Sequence, residues 1–197
     1  MKPGECALVV VDVQNDYCDE QGTFGKHGAQ LGPIQAAMDR VVHLIEAARR
    51  ARVPVVWVRT EHDKWTNSPM WLSRSTRKGM EICATGSWGA EFFRVKPAAD
   101  EVVVTKHRYS GFVGSKLEVV LRTLARPTLV FCGVTTNVCV ESTLRDAFMR
   151  DYDTVLVEDC AAAFTEPEHE AAVHNVRTYF GRVADSVTIE GLWATPR

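Results

Sequence analysis

Residues 7–12 of the chain read ALVVVD, an apolar run that ends directly in a carboxylate. The run is rich in valine and does not alternate with polar residues, which is typical of a strand covered on both faces in a parallel sheet. Similar runs predict five further strands: Pro54–Val58, Glu101–Thr105, Thr128–Cys132, Thr154–Val157 and Ser186–Ile189.

Longer amphipathic stretches separate these runs. Between Ile34 and Arg52 the apolar residues recur at spacings of three and four, which predicts a helix with one face toward a core. Three further helices are predicted at Gly114–Ala125, Val138–Arg150 and Pro167–Phe180. Repeated strand–helix–strand units favour right-handed crossovers. We therefore predict an α/β fold, a three-layer α/β/α sandwich with a central, mostly parallel six-stranded sheet (Rossmann-like), in a single domain over residues 1–197.

The composition excludes several classes of protein. The 197 residues carry a formal net charge of -2, without the basic excess of a nucleic-acid-binding protein. No apolar run reaches the ~20 residues that cross a bilayer, and the start of the chain lacks the features of a signal peptide. The six cysteines are irregularly spaced and predict no disulfide framework. We expect a cytoplasmic protein that binds neither nucleic acid nor membrane.

Ionisable side chains follow several predicted strands at the point where each strand ends. Asp12 follows the first strand, Lys106 the third, and Cys139 lies seven residues beyond the fourth. The carboxyl ends of parallel strands share one edge of the sheet, where ligands bind. Each residue alone has an ordinary structural explanation: a turn cap, a solvated lysine, a buried small apolar side chain. Together they indicate a thiol-based catalytic site.

Cys139 falls at the start of a predicted helix. The preceding residues 133–138 read GVTTNV, and threonine and asparagine are typical before a helix because they cap its free amides. Those amides and the helix dipole favour a thiolate at Cys139 and could hold the oxyanion of a tetrahedral intermediate. A thiol nucleophile also needs a base, and Asp12 is better placed than the histidines that follow other strands.

Three motifs in this order resemble the isochorismatase-like cysteine hydrolases, which include nicotinamidases, N-carbamoylsarcosine amidase, biuret and triuret hydrolases and ureidoacrylate amidohydrolase. They are VVVDVQND at 9–16, KHRYSGF at 106–112 and GVTTNVCVEST at 133–143. The resemblance implies that Asp12 is the general base, Lys106 its charged partner and Cys139 the nucleophile. It also implies a cis peptide bond between Val134 and Thr135, an oxyanion hole formed by the Thr135 and Cys139 amides, and no cofactor.

The resemblance also narrows the reaction. Cys139 favours amide cleavage, because true isochorismatases cleave a vinyl ether without relying on a cysteine at this position. Residues 60–63 read TEHD, which departs from the Asp-x-His pattern of the nicotinamidase metal site, so we predict no metal. The motifs are most similar to the ureidoacrylate and biuret group, which cleaves carbamoyl or ureido C–N bonds. A nicotinamidase-like enzyme, an N-carbamoyl amino acid amidase, an isochorismatase and a non-catalytic binding protein remain alternatives.

A few side chains near these motifs are candidates for the wall of a substrate pocket, although ordinary packing would explain the aromatic ones equally well. They are Phe24, His62, Trp88, Tyr109 and Phe112. The resemblance further implies a homo-oligomer, a dimer or a tetramer, whose partner is a small-molecule amide substrate.

Overall fold

A six-stranded sheet forms the centre of the protein. The computed structural model describes residues 1–73 and 79–194. The strands lie in the order β3-β2-β1-β4-β5-β6, and each neighbouring pair is parallel. Their bounds are Cys6–Val11 (β1), Val55–Thr60 (β2), Val102–Lys106 (β3), Thr128–Val134 (β4), Asp153–Ala162 (β5) and Arg182–Ala184 (β6). The predicted α/β fold is confirmed.

Helices cover the sheet and its edges. The longer helices of the described residues include Gly32–Arg50 (α3), Leu117–Leu124 (α5), Glu141–Phe148 (α6) and Glu166–Asn175 (α7). Shorter helices lie at Asn15–Cys18 (α1), Thr23–Lys26 (α2) and Pro69–Leu72 (α4), and α8 spans Ser186–Ala194. Pro3–Glu5 and Trp88–Ala90 form 3-10 turns, while Thr136–Val140 and Val176–Phe180 form π-helical turns. Within the described ranges, no helix combines the length and the apolar character needed to span a membrane.

Two apolar cores lie on opposite faces of the sheet, and β1 contributes to both. Leu8 and Val10 belong to the core that contains the buried side chains of α3. Val9 and Val11 belong to the other core, together with buried side chains of α5 and α6. A strand that is covered on both faces has no polar alternation, which accounts for the uninterrupted apolar run at residues 7–11.

The predicted strand at Ser186–Ile189 is wrong, because these residues begin helix α8. The Asp185 carboxylate accepts a hydrogen bond from the Thr188 amide and thereby stabilises the start of the helix. Ile189 and Trp193 are buried at a spacing of four, whereas Val187 is 77% exposed, which is a helical period. The sixth strand lies just before this segment, at Arg182–Ala184, and pairs with β5.

Two predicted helices are interrupted. The segment predicted as a helix at Val138–Arg150 starts with the π-helical turn at Thr136–Val140 and continues as α6. The segment predicted at Pro167–Phe180 ends in the second π-helical turn. The insertion of one residue into a helical turn leaves the apolar periodicity nearly unchanged, so the sequence pattern does not reveal it.

Gly133 lies one residue before the end of β4, ahead of the loop that carries the predicted nucleophile. It lies opposite Val11 in the pairing of β1 and β4 and has a φ of 118°. A Cβ atom at this position would overlap the Val11 carbonyl group. We expect Gly133→Ala to lower the free energy of unfolding by about 3 kcal/mol, because the new methyl group meets backbone atoms and the backbone angle is unfavourable.

Chemical denaturation measures this effect, with Gly32→Ala as the control. A Cβ atom at Gly32, the first residue of α3, would meet no atom within 4 Å apart from its chain neighbours and the backbone of its own helix. Equal stabilities of the two variants would contradict the explanation of Gly133.

Candidate active site

The three predicted catalytic side chains meet at the carboxyl edge of the sheet. Lys106 Nζ lies 2.7 Å from Asp12 Oδ2 and 3.3 Å from Cys139 Sγ. The three residues are 0% (Asp12), 1% (Lys106) and 2% (Cys139) exposed. A carboxylate, an ammonium group and a thiol are thus held together away from bulk water, where electrostatic interactions are strong.

Each of the three residues is placed by the end of a strand. Asp12 follows β1 with a φ of 50°, and its amide donates a hydrogen bond to the Val58 carbonyl of β2 at 2.8 Å. Lys106 is the last residue of β3. Beyond β4 the chain contains the implied cis peptide bond between Val134 and Thr135. The π-helical turn that follows carries Cys139.

Backbone hydrogen bonds define the turn around Cys139. The amides of Val138 and Val140 both donate to the Thr135 carbonyl at 3.2 Å. The Thr143 hydroxyl donates to the Cys139 carbonyl at 2.7 Å. The predicted threonine caps are not formed, because Thr135 makes no side-chain capping hydrogen bond and the Thr136 hydroxyl instead lies 2.9 Å from His169 Nδ1. The oxyanion hole of Thr135 and Cys139 amides stays a prediction.

Lys106 carries a stable positive charge. Burial by itself lowers the pKa of its ammonium group, but the Asp12 carboxylate and the Cys139 sulfur more than offset that effect, so the pKa lies above its ordinary value of 10.5. Its Nζ also donates to the Thr60 hydroxyl at 2.6 Å and to the Arg108 carbonyl at 3.1 Å. Lys106 therefore serves as a fixed cation at neutral pH.

The raised pKa of Lys106 leads to an expected dependence of stability on pH. A group whose pKa is raised in the folded state stabilises the fold fully below its unfolded pKa and loses this effect as the pH rises through the folded pKa. We expect the difference in free energy of unfolding between the wild type and the double variant Asp12→Asn/Lys106→Met to stay constant from neutral pH to about pH 10 and to decrease above it. Urea denaturation at several pH values measures it; a decrease already near neutral pH would contradict the assigned charge.

Thr60 is a functional candidate that the sequence analysis did not single out. It is the last residue of β2 and the register partner of Lys106. Its hydroxyl donates to Asp12 Oδ1 at 3.0 Å and accepts from Lys106 Nζ. Its position at a strand end was the available signal, but threonine is also a common strand residue.

A cavity of about 270 Å³ opens beyond the end of β2. Its walls come mainly from residues 62–72 and 80–84, and they include His62, Asn67 and Trp71. The ring of Trp71 lies 5.4 Å from that of His62 and 5.1 Å from that of Tyr109. Of the predicted pocket residues, His62 lines this cavity and Tyr109 contacts one of its walls. Trp71 was missed, because the irregular stretch around it has no periodic pattern.

The other three predicted pocket residues lie outside the lining of this cavity. Phe24 stacks between Tyr17 and Phe164, with ring centroids 5.4 and 4.5 Å away. Phe112 is buried in the core that also contains Cys139. Trp88 is 48% exposed in its 3-10 turn. Across residues 1–73 and 79–194, no group of three or more His, Cys, Asp or Glu side chains could hold a metal ion.

Comparison with known proteins places this chain in a family. Residues 6–188 match the isochorismatase domain. The ureidoacrylate amidohydrolase RutB of Azorhizobium caulinodans is 38% identical over 196 residues, which cover 91% of this chain and 86% of that protein.

Solved structures also resemble this fold. A cysteine hydrolase from Pseudomonas syringae pv. phaseolicola superposes with a TM-score of 0.86 at 26% identity, covering 98% of this chain and 94% of that one. N-carbamoylsarcosine amidase from Thermoplasma acidophilum gives a TM-score of 0.75 at 30% identity, with coverages of 92% and 96%.

The chain therefore belongs to the isochorismatase family. Within it, the predicted class is confirmed: the protein is an amidohydrolase of this family.

Proposed function

We propose that this amidohydrolase cleaves a C–N bond of a small carbamoyl or ureido amide, of the biuret, triuret or ureidoacrylate type, through a thioester on Cys139. The observation that carries the proposal is the buried contact of Lys106 Nζ with both Asp12 Oδ2 and Cys139 Sγ, at 2.7 and 3.3 Å. A carboxylate and a thiol that share one cation form the minimum set for proton transfer and nucleophilic attack.

In the proposed mechanism, Asp12 accepts the thiol proton of Cys139, and the thiolate forms a bond to the substrate carbonyl carbon. The amides of Thr135 and Cys139 stabilise the resulting oxyanion, and Lys106 balances the negative charge of the site. Asp12 then returns the proton to the leaving nitrogen as the C–N bond breaks. A water molecule, deprotonated by Asp12, hydrolyses the thioester and regenerates the thiol.

We assign the substrate to the cavity beyond the end of β2, whose volume and polar walls support a small, polar substrate. The cavity beyond β2 is lower in volume than most sites for drug-sized ligands, at about 270 Å³. Polar groups from His62 and Asn67 lie in its walls beside the ring of Trp71. The relatives named as ureidoacrylate amidohydrolases support a ureido group as the part of the substrate that reacts.

A panel of amides tests the proposed substrate class. Purified protein is incubated with biuret, triuret, ureidoacrylate, N-carbamoyl amino acids and nicotinamide, and ammonia release is measured against the Cys139→Ala variant. We expect the highest kcat/KM for a ureido or carbamoyl substrate. Preference for nicotinamide would contradict the proposal, as would turnover of isochorismate, assayed separately by loss of the substrate, with no amide hydrolysed.

We further propose that the protein works in the cytoplasm as a homo-oligomer, a dimer or a tetramer. Large apolar side chains are exposed near the end of α6 and in the second π-helical turn, including Phe148, Met149 and Tyr179, and they support an association surface. Light scattering during size-exclusion chromatography tests the assembly, and a monomeric mass would contradict it.

A further inference from the structure

The order of the strands separates two of the proposed catalytic residues by one strand. Lys106 ends β3 and Asp12 follows β1, so β2 lies between the residues that form the ion pair. Strands are spaced by roughly 4.8 Å, which places β3 and β1 about 10 Å apart. The lysine side chain must therefore extend across the end of β2 to reach the carboxylate. Thr60 occupies that end, and it is only 2% exposed.

The hydroxyl of Thr60 contacts both members of the ion pair, and its proton has one possible direction. An ammonium group only donates hydrogen bonds, so the hydroxyl must accept from Lys106 Nζ, at 2.6 Å. A hydroxyl has a single proton, which is then donated to Asp12 Oδ1 at 3.0 Å. Asp12 is consequently held at one oxygen by Thr60 and at the other by Lys106.

Hydrogen bonds with the Gln14 side chain also fix the backbone of Thr60. The Thr60 amide donates to Gln14 Oε1, and Gln14 Nε2 donates to the Thr60 carbonyl, both at 2.8 Å. The same Nε2 donates to the Ala90 carbonyl at 2.8 Å. Gln14 is fully buried. The hydroxyl therefore projects from a fixed backbone position, with a β-branched side chain that has few rotamers.

We infer that Thr60 is a positioning residue for the reaction: its hydroxyl holds Asp12 and Lys106 in the one arrangement in which both act on the Cys139 sulfur. This inference rests on the proposed function. The hydroxyl forms its hydrogen bonds with these two side chains. We therefore expect its removal to slow the chemical steps and to leave substrate binding nearly unchanged.

Three variants separate the hydroxyl from the packing of the side chain. Thr60→Val keeps the shape and removes the hydroxyl, while Thr60→Ser keeps the hydroxyl. Thr128→Val is the matched control. Thr128 is also a buried strand threonine, and its hydroxyl donates to the Asp153 carboxylate. It lies at the start of β4, at the opposite end of the strand from the proposed site. Thermal unfolding shows whether each variant is folded, and Thr60→Ala replaces Thr60→Val if the latter is not.

We expect Thr60→Val to lower kcat by about 10- to 100-fold, the loss typical of a hydrogen bond to a charged group. KM should stay within about twofold of the wild type, because the interaction lost is not one with the substrate. Thr60→Ser should recover kcat to within about fivefold, since it lacks only a methyl group. Thr128→Val should match the wild type in both constants.

The rate at which iodoacetamide alkylates Cys139 measures the reactivity of the thiol in the absence of substrate. We expect it to be about tenfold slower in Thr60→Val, because the cation that favours the thiolate is no longer held beside the sulfur. Unchanged kcat and alkylation in Thr60→Val, or an equal defect in Thr60→Ser, would overturn the inference. If Cys139→Ala is inactive while Thr60→Val is normal, the proposed function stands and the role of Thr60 fails. If the wild type hydrolyses no amide, the proposed function fails, and alkylation still tests Thr60.

Discussion

Cys139→Ala is expected to lower kcat for amide hydrolysis by at least about 10⁴-fold and to leave the fold intact. The substitution removes the atom proposed to form the thioester, so no covalent intermediate can arise. The Asp12–Lys106 ion pair and the backbone of the surrounding turn do not depend on the sulfur. Steady-state ammonia release measures kcat, and thermal unfolding shows that the variant is folded.

Cys132→Ala is the matched control for this result. Cys132 lies within β4, seven residues before Cys139, and is fully buried. Burial raises the pKa of its thiol, so Cys132 stays protonated and unreactive. Its replacement should reduce stability slightly and leave kcat at the wild-type value. Cys139→Ala with parental activity would contradict the thioester mechanism.

Lys106→Met is expected to have the largest effect on stability among the substitutions in the site. It removes the cation and leaves the fully buried carboxylate of Asp12 without its charged partner. Removal of one member of a buried ion pair typically costs about 3–5 kcal/mol of unfolding free energy. We also expect kcat to fall by at least about 10³-fold, because the charge of the site is no longer balanced. Chemical denaturation and ammonia release measure the two effects.

The double variant Asp12→Asn/Lys106→Met separates these effects. It removes both charges, so it should be more stable than Lys106→Met alone, since no unpaired charge remains buried. It should nevertheless be inactive, because the proposed base is gone. A double variant that is less stable than Lys106→Met would show that the cost does not come from an unpaired carboxylate.

The first five strands and the catalytic candidates could be predicted from the sequence because both depend on strong, local patterns. The apolar run at residues 7–11 is rich in valine, which is typical of a doubly covered strand, and the structure confirms it as part of β1. Lys106 directly follows the third predicted strand, Glu101–Thr105, so the shared edge of a parallel sheet brings it toward Asp12. The length of the lysine side chain then allows its ammonium group to reach the Asp12 carboxylate.

Other features could not be predicted, since they depend on long-range packing. The run at Ser186–Ile189 is short and β-branched, and its helical state depends on the Asp185 cap and on the burial of Ile189 and Trp193. Thr60 looks like an ordinary strand threonine until the strand order places it between Asp12 and Lys106. The cavity beyond β2 is formed by an irregular stretch that contains Trp71 and has no period to interpret.

The position of the site on the sheet has a consequence for how activity reports on folding. Its contacts join residues that are 33, 46 and 48 positions apart in the chain, and they connect the ends of β1, β2, β3 and β4. No single hairpin or helical segment contains two of these groups. Partially refolded molecules that lack any of the four strands should therefore be silent in an assay, and recovery of turnover during refolding should coincide with completion of the central sheet. The activity of the enzyme would thus report directly on formation of the complete sheet.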